Sequence, residues 1–193
     1  MSSDSALWTY SLRVYGHDDV AASCLWLQDN HDVNVNLLLY GCWLGERGLE
    51  LDLDTLAAAR RAVEPWTKEV VEHLRHARRW IKAQLATAKA ETDGDYAALR
   101  ERIKAAELEA ERLEQRVLEM LPTTACVSGI HVDDPVRVIA NNAARYLHAL
   151  GVRIDADVVA QLSVVVARAS GSSRATASRE LNQVIRTMMS GDD

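Results

Sequence analysis

Residues 96–120 read YAALRERIKAAELEAERLEQRVLEM, and this stretch decides the fold. Its apolar residues recur at alternating spacings of three and four, with Glu and Arg between them. They are Tyr96, Leu99, Ile103, Ala106, Ala110, Leu113, Val117 and Met120. A heptad pattern of this kind predicts a helix of about 25 residues that packs in coiled-coil fashion along its apolar seam.

The segment before this stretch predicts the partner helix. Its apolar residues also recur at spacings of three or four, and they are Trp66, Val70, Leu74, Ala77, Ile81 and Leu85. Pro65 lacks an amide donor and crowds the preceding turn, so residues 56–64 and 66–89 form two helices or one kinked helix. Because only a short turn at residues 92–95 follows, the two long helices predict an antiparallel hairpin over residues 66–121.

Shorter helices are predicted on both sides of this hairpin. Three precede it, over residues 6–15 after a Ser5 N-cap, from 18 to about 31, and from 34 to about 46. Residues 122–133 carry Pro122 and Gly129 and are typical of a linker. Three more helices are predicted after it, over residues 135–150, 155–169 and 173–189.

The predicted fold class is therefore all-α. Short N-terminal helices pack on the long antiparallel helical hairpin, and a small C-terminal helical bundle follows. We divide the chain into an N-terminal helical domain at 1–121, the linker at 122–133 and a C-terminal helical segment at 134–193. The last segment either stands alone or packs on the first as one domain.

Composition agrees with a helical protein and narrows its partners. The 193 residues include no Phe and 3 Pro, a usage that favours helices. The net charge is -6, which argues against a general nucleic-acid-binding protein. Residues 55–90 carry an excess of positive charge, whereas residues 1–54 and 91–121 are acidic. The simplest interpretation is that the basic helix packs against the acidic segments.

Cysteine usage and hydropathy predict the compartment. Cys24, Cys42 and Cys126 are an odd number in a chain without a secretory leader, so we expect reduced thiols in the cytoplasm. The longest apolar run, over residues 37–44, is about half of the ~20 residues that a membrane-spanning helix needs. No transmembrane segment is predicted.

Several blocks of the sequence resemble a known family. They include Leu7-Trp8 with Tyr10-Ser11, residues 24–29, residues 35–44, residues 103–108, and Asn141-Asn142 with residues 145–147. Together they resemble an uncharacterised proteobacterial family of small all-helical proteins, a domain of unknown function. The resemblance implies a cytoplasmic bacterial protein and supplies no catalytic residues. It also implies an aspartate at position 34, where this chain has Asn34.

The first candidate site is a set of polar residues inside an apolar, aromatic-rich segment. Its members are Gln28, Asp29, Asn34 and Asn36, with Trp26, Tyr40 and Trp43 as the expected aromatic wall. The turn between two helices brings the polar groups together, so they could hold a small ligand or the backbone of a partner. The structural alternative, which we favour, is that they cap the facing helix ends.

The second candidate is a basic cluster over residues 73–82. Arg75, Arg78, Arg79 and Lys82 are candidates for binding an anion, with Trp80 available for stacking on nucleic-acid bases. The alternative, which the net charge of -6 favours, is that these cations pair with the acidic first 54 residues.

The third candidate resembles the helix-turn-helix of bacterial regulators, over residues 163–182. Ser173, Arg174, Thr176 and Arg179 would contact DNA. With Gly171 as the turn glycine, however, the positions that should dock the two helices are Ser172, Ala177 and Glu180, which are polar, small and charged. A capped final helix packed on the bundle explains the same residues, so we expect no nucleic-acid partner.

Reaction chemistry is not apparent. Cys24, His31 and Cys42 lack the close pairs that build zinc sites, and Ser128 near His131 lies in the linker without an oxyanion motif. We therefore predict no metal, no cofactor and no catalytic residue, and a non-catalytic interaction or regulatory protein. Its hairpin would bind a protein partner or a second copy. The alternatives are DNA binding at residues 163–182, and a ligand-binding protein or enzyme with a pocket at Gln28, Asp29 and Asn36.

Overall fold

The structure is a computed structural model that describes residues 5–85, 93–122 and 134–190. These ranges contain α-helices, one π-helical turn and no β-strand, so the predicted all-α class is confirmed. The helices are α1 Ala6–Tyr15, α2 Asp18–His31, α3 Val35–Glu46, α4 Leu53–Trp66, α5 Glu72–Leu85, α6 Asp93–Glu119, α7 Pro135–Ala149, α8 Ala156–Ser170 and α9 Arg174–Ser190. Residues 123–133 of the predicted linker, with Cys126, Ser128 and His131, lie outside the described residues.

Side-chain caps fix where several helices begin. The Ser5 hydroxyl accepts a hydrogen bond from the Trp8 amide, and the Asp52 carboxylate accepts one from the Thr55 amide. Asp155 caps α8 in the same way. Each side chain satisfies an amide that the first turn of a helix leaves without an internal partner. The predicted beginnings of α1 and α8, and one of the two alternatives for α4, are therefore confirmed.

Helix α3 lies at the centre of the molecule and packs on α7. Every residue of α3 from Asn36 to Gly45 is buried. The Asn142 side chain on α7 donates to the carbonyl oxygens of Gly41 and Leu49 and accepts from the Leu51 amide. One hydrophobic core extends from Leu7 in α1 to Val184 in α9, so the helices on both sides of residues 123–133 contribute to it.

Pro65 does not end the fourth helix. It lies inside α4, and the helical backbone continues through a π-helical turn, Thr67–Val71, directly into α5. The missing amide of Pro65 removes one hydrogen bond of α4. The Thr67 hydroxyl adds one by donating to the carbonyl oxygen of Val63 at 3.0 Å. Of the two predicted alternatives, the continuous but irregular helix is the one observed.

Helix α6 has the predicted length but buries a different face. Of the eight residues of the predicted apolar seam, only Ala110 is buried. Leu99, Leu113, Val117 and Met120 are 39–78% exposed, whereas Glu107, Glu114 and Gln115 are at most 5% exposed. The predicted burial of the seam is therefore wrong. The physical reason is that helices α3 and α5 offer hydrogen-bonding partners to the polar face of α6.

Helices α5 and α6 run antiparallel to each other. Arg75 contacts Glu107 and Glu111, and the later residue Arg78 contacts the earlier one of these, Glu107. Trp66, just before the π turn, donates from its indole nitrogen to the Ala110 carbonyl oxygen at 3.0 Å. Within the described ranges, no helix has the length and apolar character needed to cross a bilayer.

The contact between α3 and α7 predicts a sharp difference between two glycines of α3. A Cβ on Gly45 would lie 2.7–2.9 Å from three atoms of Ile139, two of them backbone atoms. Gly45→Ala should therefore lower the free energy of unfolding by about 1–3 kcal/mol, the usual cost of overpacking a core. A Cβ on Gly41 would meet nothing closer than 3.5 Å, so Gly41→Ala is the matched control.

The measurement is urea unfolding of both variants and the parent protein. Gly41→Ala should be neutral or stabilising by up to about 1 kcal/mol, because Ala is the better helix former. Equal stability of the two variants would contradict the close packing of α3 on α7.

Candidate functional site

A cleft of about 760 Å³ opens where the turn between α2 and α3 meets the π turn, α5 and α6. Polar and charged side chains from six of the surrounding elements line most of it. They are Gln28 and Asp29 from α2, Asn34 and Asn36 around the start of α3, Arg60 and Glu64 from α4, Thr67 and Lys68 from the π turn, Glu72, Arg75, His76 and Arg79 from α5, and Glu111 and Glu114 from α6. Tyr146 of α7 and a smaller apolar set, which includes Val63 and Val71, complete the lining.

Glu114 forms the floor of the cleft. Its Oε1 accepts a hydrogen bond from the Asn34 side-chain amide at 2.7 Å. Its Oε2 is buried and has no hydrogen-bond partner among the described residues. The whole residue is only 1% exposed. Burial raises the pKa of Glu114, and it outweighs the neighbouring Asn34, Asn36 and Thr67 side chains, which lower it.

Asn34 connects this floor to three other elements. Its Oδ1 accepts from the amides of Asn36 and Leu37, and so caps α3. Its Nδ2 also donates to the Thr67 hydroxyl at 3.2 Å, while its backbone amide donates to the Tyr146 hydroxyl at 3.0 Å. The side chain therefore has no unused hydrogen-bonding group, and its position is fixed from several directions.

A second buried bond lies next to Glu114. The Gln115 side-chain amide donates to Asn36 Oδ1 at 2.8 Å, and both residues are less than 10% exposed. Asn36 therefore does not cap a helix, although the sequence analysis favoured capping for all four polar residues. Among those four residues, the structure supports the capping interpretation for Asn34 alone.

The wall beside the floor is an ion cluster between α5 and α6. Arg75 donates to Glu107 at 3.0 Å and to Glu111 at 2.8 Å, and Arg78 also donates to Glu107. Burial works against the charged form of Glu107, but hydrogen bonds from Arg78 and Arg75 hold its pKa below the usual range. Burial raises the pKa of Glu111, and Arg75 opposes that shift.

The predicted anion-binding cations are thus mostly engaged inside the protein. Arg79 pairs with Asp29 at 2.7 Å, which agrees with the predicted pairing to the first 54 residues. For Arg75 and Arg78 that prediction is wrong, because their partners lie on α6. Lys82 is exposed and does not line the cleft.

The structure brings together four of the seven residues predicted for the pocket. Gln28, Asp29, Asn34 and Asn36 all line the cleft, as expected from the turn between their helices. The predicted aromatic wall does not. Tyr40 and Trp43 stack on each other at 6.1 Å inside the core, and Trp26 contacts the His31 ring at 5.2 Å. They are excluded because α3 is buried on all sides and directs these rings away from the cleft.

The residues that sequence reasoning missed are Glu114, Thr67 and Tyr146. Glu107, Glu111 and Glu114 follow one another at spacings of four and three, which is the spacing of one helix face. That periodicity was visible, but it is also the periodicity of a solvent-exposed charged face. Only the partners on α3 and α5 distinguish the two cases.

The candidate DNA-contacting residues have partners in the fold. Ser173 accepts from the Thr176 amide and so caps α9, and Arg174 donates to the Ala160 carbonyl oxygen. Arg179 lies 3.4 Å from the neighbouring Glu180. Ala177 is fully buried and docks α9, so its small size does not prevent packing. DNA binding by this segment stays a prediction.

The described cysteines are buried. Burial raises the pKa of the Cys24 thiol to about 12, and it raises that of Cys42 as well. A thiol with a raised pKa is a poor nucleophile and a poor metal ligand near neutral pH. In the described ranges, no group of three or more His, Cys, Asp or Glu side chains is placed to hold a metal ion.

Fold and cleft together define an all-helical protein with a buried carboxyl at the floor of a polar cleft. The chain belongs to a family of proteins of unknown function, DUF2390, whose model matches residues 6–118. That range contains every cleft residue from α2 to α6, including Asn34 and Glu114. No curated protein and no solved structure gives a significant match.

Replacing Asn34 by Asp isolates the bond to Glu114. Asp keeps the oxygen that caps α3 but loses the amide that donates to Glu114, and it adds a second carboxyl beside the first. At pH 8 we expect the free energy of unfolding to fall by about 2–4 kcal/mol, the cost of breaking a buried charge-assisted bond and of placing two carboxylates together.

The loss should be smaller at pH 5. A carboxyl whose pKa is raised in the folded state contributes stability at low pH that is lost as the pH rises through that pKa. Urea unfolding at both pH values measures the difference. Asn182→Asp, at an exposed position of α9, is the control, and we expect it to change stability by less than about 0.5 kcal/mol. An equal loss for Asn34→Asp at both pH values would contradict the buried contact with Glu114.

Proposed function

We propose that this protein binds a small organic ligand in the cleft between the α2–α3 turn, the π turn, α5 and α6. The observation that carries the proposal is Glu114 Oε2, a buried carboxyl oxygen that lines the cleft and has no partner among the described residues. Buried polar atoms in folded proteins are almost always hydrogen-bonded. An unpaired one at the floor of a cleft is therefore a natural place for a ligand to donate a hydrogen bond.

The size of the cleft supports this function. Small-molecule sites have volumes of roughly 300–1,000 Å³, and this cleft has about 760 Å³. Its lining combines polar groups with apolar side chains that include Val63, Val71 and Leu150. Such a lining can hold an apolar body and orient a polar group on the same ligand.

The rigidity of the floor supports it further. Asn34 is held by α3, α6, the π turn and α7, so the groups around Glu114 are ordered before any ligand enters. A site that is ordered in advance costs little conformational entropy on binding. The π turn contributes Thr67, Lys68 and Val71 to the lining, and such turns occur often at functional sites.

A thermal-shift screen with a library of cellular metabolites tests the proposal. A ligand at about 100 times its Kd stabilises the folded state by about 2.7 kcal/mol, which for a chain of this size raises Tm by about 5–10 °C. Gln28→Trp, which fills part of the cleft from α2, should abolish the shift. Leu25→Trp is the control, because Leu25 is 43% exposed on the same helix and lies outside the cleft.

Two results would contradict ligand binding in the cleft. One is a library without any compound that stabilises the protein. The other is a set of compounds that stabilise Gln28→Trp and Leu25→Trp equally.

The exposed seam of α6 favours a second function, self-association. Leu99, Ala106, Leu113 and Met120 recur every seven residues and are all exposed, and Val117 next to them is 44% exposed. Contiguous exposed apolar residues of this kind are typical of interaction sites. A second copy of this chain is the partner that we propose, as the predicted homodimer through the hairpin required.

Charges beside the seam support a second copy. Arg102, Glu109 and Arg116 also recur every seven residues on the side of α6 next to the exposed leucines. If the two copies of α6 run antiparallel with the two-fold axis near Leu113, each Glu109 lies opposite Arg116 of the other copy. Unlike charges that flank a heptad seam set the orientation of coiled-coil helices.

Sedimentation velocity at tens of micromolar protein tests self-association. The parent chain should sediment as a dimer, and Leu113→Glu should sediment as a monomer, because it places a charge in the seam. Leu108→Glu is the matched control, since Leu108 is 49% exposed on the opposite side of α6. A monomeric parent chain at this concentration, or a dimer that survives Leu113→Glu, would contradict dimerisation through this face.

A further inference from the structure

We infer that the ligand of the cleft is an organic cation, a protonated amine on an aliphatic body, and that its ammonium group binds Glu114 Oε2. The inference rests on the proposed ligand-binding function and names its chemical class. It follows from three independent features of the cleft, which are its hydrogen-bond donors, its unpaired charges and the distribution of its apolar surface.

The donors nearest to Glu114 are already in use. Asn34 Nδ2 has two protons, and they go to Glu114 Oε1 and to the Thr67 hydroxyl. The Thr67 proton goes to the Val63 carbonyl oxygen, and the Tyr146 hydroxyl donates to the Asn34 carbonyl oxygen. None of these three side chains has a proton left for Oε2. A ligand that satisfies Oε2 must therefore be a donor, and an anion or a bare acceptor cannot bind there.

The charges of the lining point to the same sign. Three of its cations already contact carboxylates: Lys68 contacts Glu64, Arg75 contacts Glu107 and Glu111, and Arg79 contacts Asp29. Arg60 donates to the Ala149 carbonyl oxygen.

In contrast, three lining carboxyls, Asp32, Glu72 and Glu114, form no ion pair with any described residue. Glu114 is at the floor, whereas Asp32 and Glu72 are exposed at the rim. A cation adds the charge that this cleft lacks, and a second cationic group on the same ligand could reach the rim.

The apolar surface selects an organic cation. Val33, Val35, Val63, Val71 and Leu150 line the cleft together with the carboxyls. An aliphatic chain can cover these side chains, which a hydrated inorganic ion cannot. The described residues also offer no group of three metal-binding side chains, so a metal ion has too few ligands here.

Binding of an amine should be linked to the protonation of Glu114. Burial raises the pKa of this carboxyl, and an ammonium group beside it favours the charged form. The other charged or titratable groups that share the cleft with it are Glu111 on its own helix, Arg75 on α5, Arg60 on α4 and Tyr146 on α7. Glu111 also raises the pKa of Glu114. Affinity for an amine should therefore increase as the pH rises from 5 to 8, with release of a proton from Glu114.

Calorimetric titration of the full chain with four probes of matched length tests the inference. The probes are 1,4-diaminobutane, butylamine, butanol and butyrate. We expect the two amines to bind and the alcohol and the carboxylate to bind at least about tenfold more weakly. Glu114→Gln should weaken amine binding about tenfold or more and remove its dependence on pH, while Tm stays at or above that of the parent chain.

Glu101→Gln provides the matched control. It makes the same chemical change on the exposed surface of α6, outside the cleft, and should leave amine binding intact. Butanol or butyrate binding as tightly as butylamine would overturn the cation inference and leave the ligand-binding function standing. Failure of all four probes also overturns it, whereas the ligand-binding function falls only if the metabolite screen is negative as well. Equal binding to Glu114→Gln and Glu101→Gln would show that Glu114 is not the anchor.

Discussion

The hydrogen bond from Asn34 to Glu114 is the interaction on which the arrangement around the cleft depends. Burying a carboxyl costs several kcal/mol unless it is hydrogen-bonded, so α6 can turn Glu114 inward only because Asn34 is held in place. Asn34 is held in turn by the start of α3, by Thr67 in the π turn and by Tyr146 in α7. One amide thus fixes four elements relative to one another, and the cleft lies where they meet.

The burial of polar groups has a consequence on the other side of α6. A helix whose carboxylates and amides face inward must leave part of its apolar seam exposed, and Leu113 and Met120 are exposed for this reason. The same rotation of α6 therefore produces both surfaces to which we assign a function. The inner face supplies the floor of a ligand site, and the outer face offers a self-complementary apolar strip. Both proposals depend on α6 having this orientation.

Sequence reasoning predicted much of the fold because local signals fix it. Caps such as Ser5 and Asp155 set the beginnings of helices, and the helical periodicity set the class. It failed for the buried face of α6, because the apolar residues and the glutamates recur at the same spacings of three and four. Arg75 and Asn34, about 30 to 80 residues away in sequence, decide between the two faces, and no local pattern contains that information. The polar half of the site was found for the opposite reason, since Gln28, Asp29, Asn34 and Asn36 are close in sequence.

The protonation of Glu114 is the most direct test of this account. NMR titration of the side-chain carboxyl carbon, assigned by comparison with Glu114→Gln, gives its pKa in the intact protein. The account predicts a midpoint clearly above those of exposed glutamates such as Glu101 in the same spectra, because burial raises the pKa of Glu114. A midpoint equal to that of Glu101 would show that the carboxyl is solvated, and would contradict a buried floor that awaits a ligand.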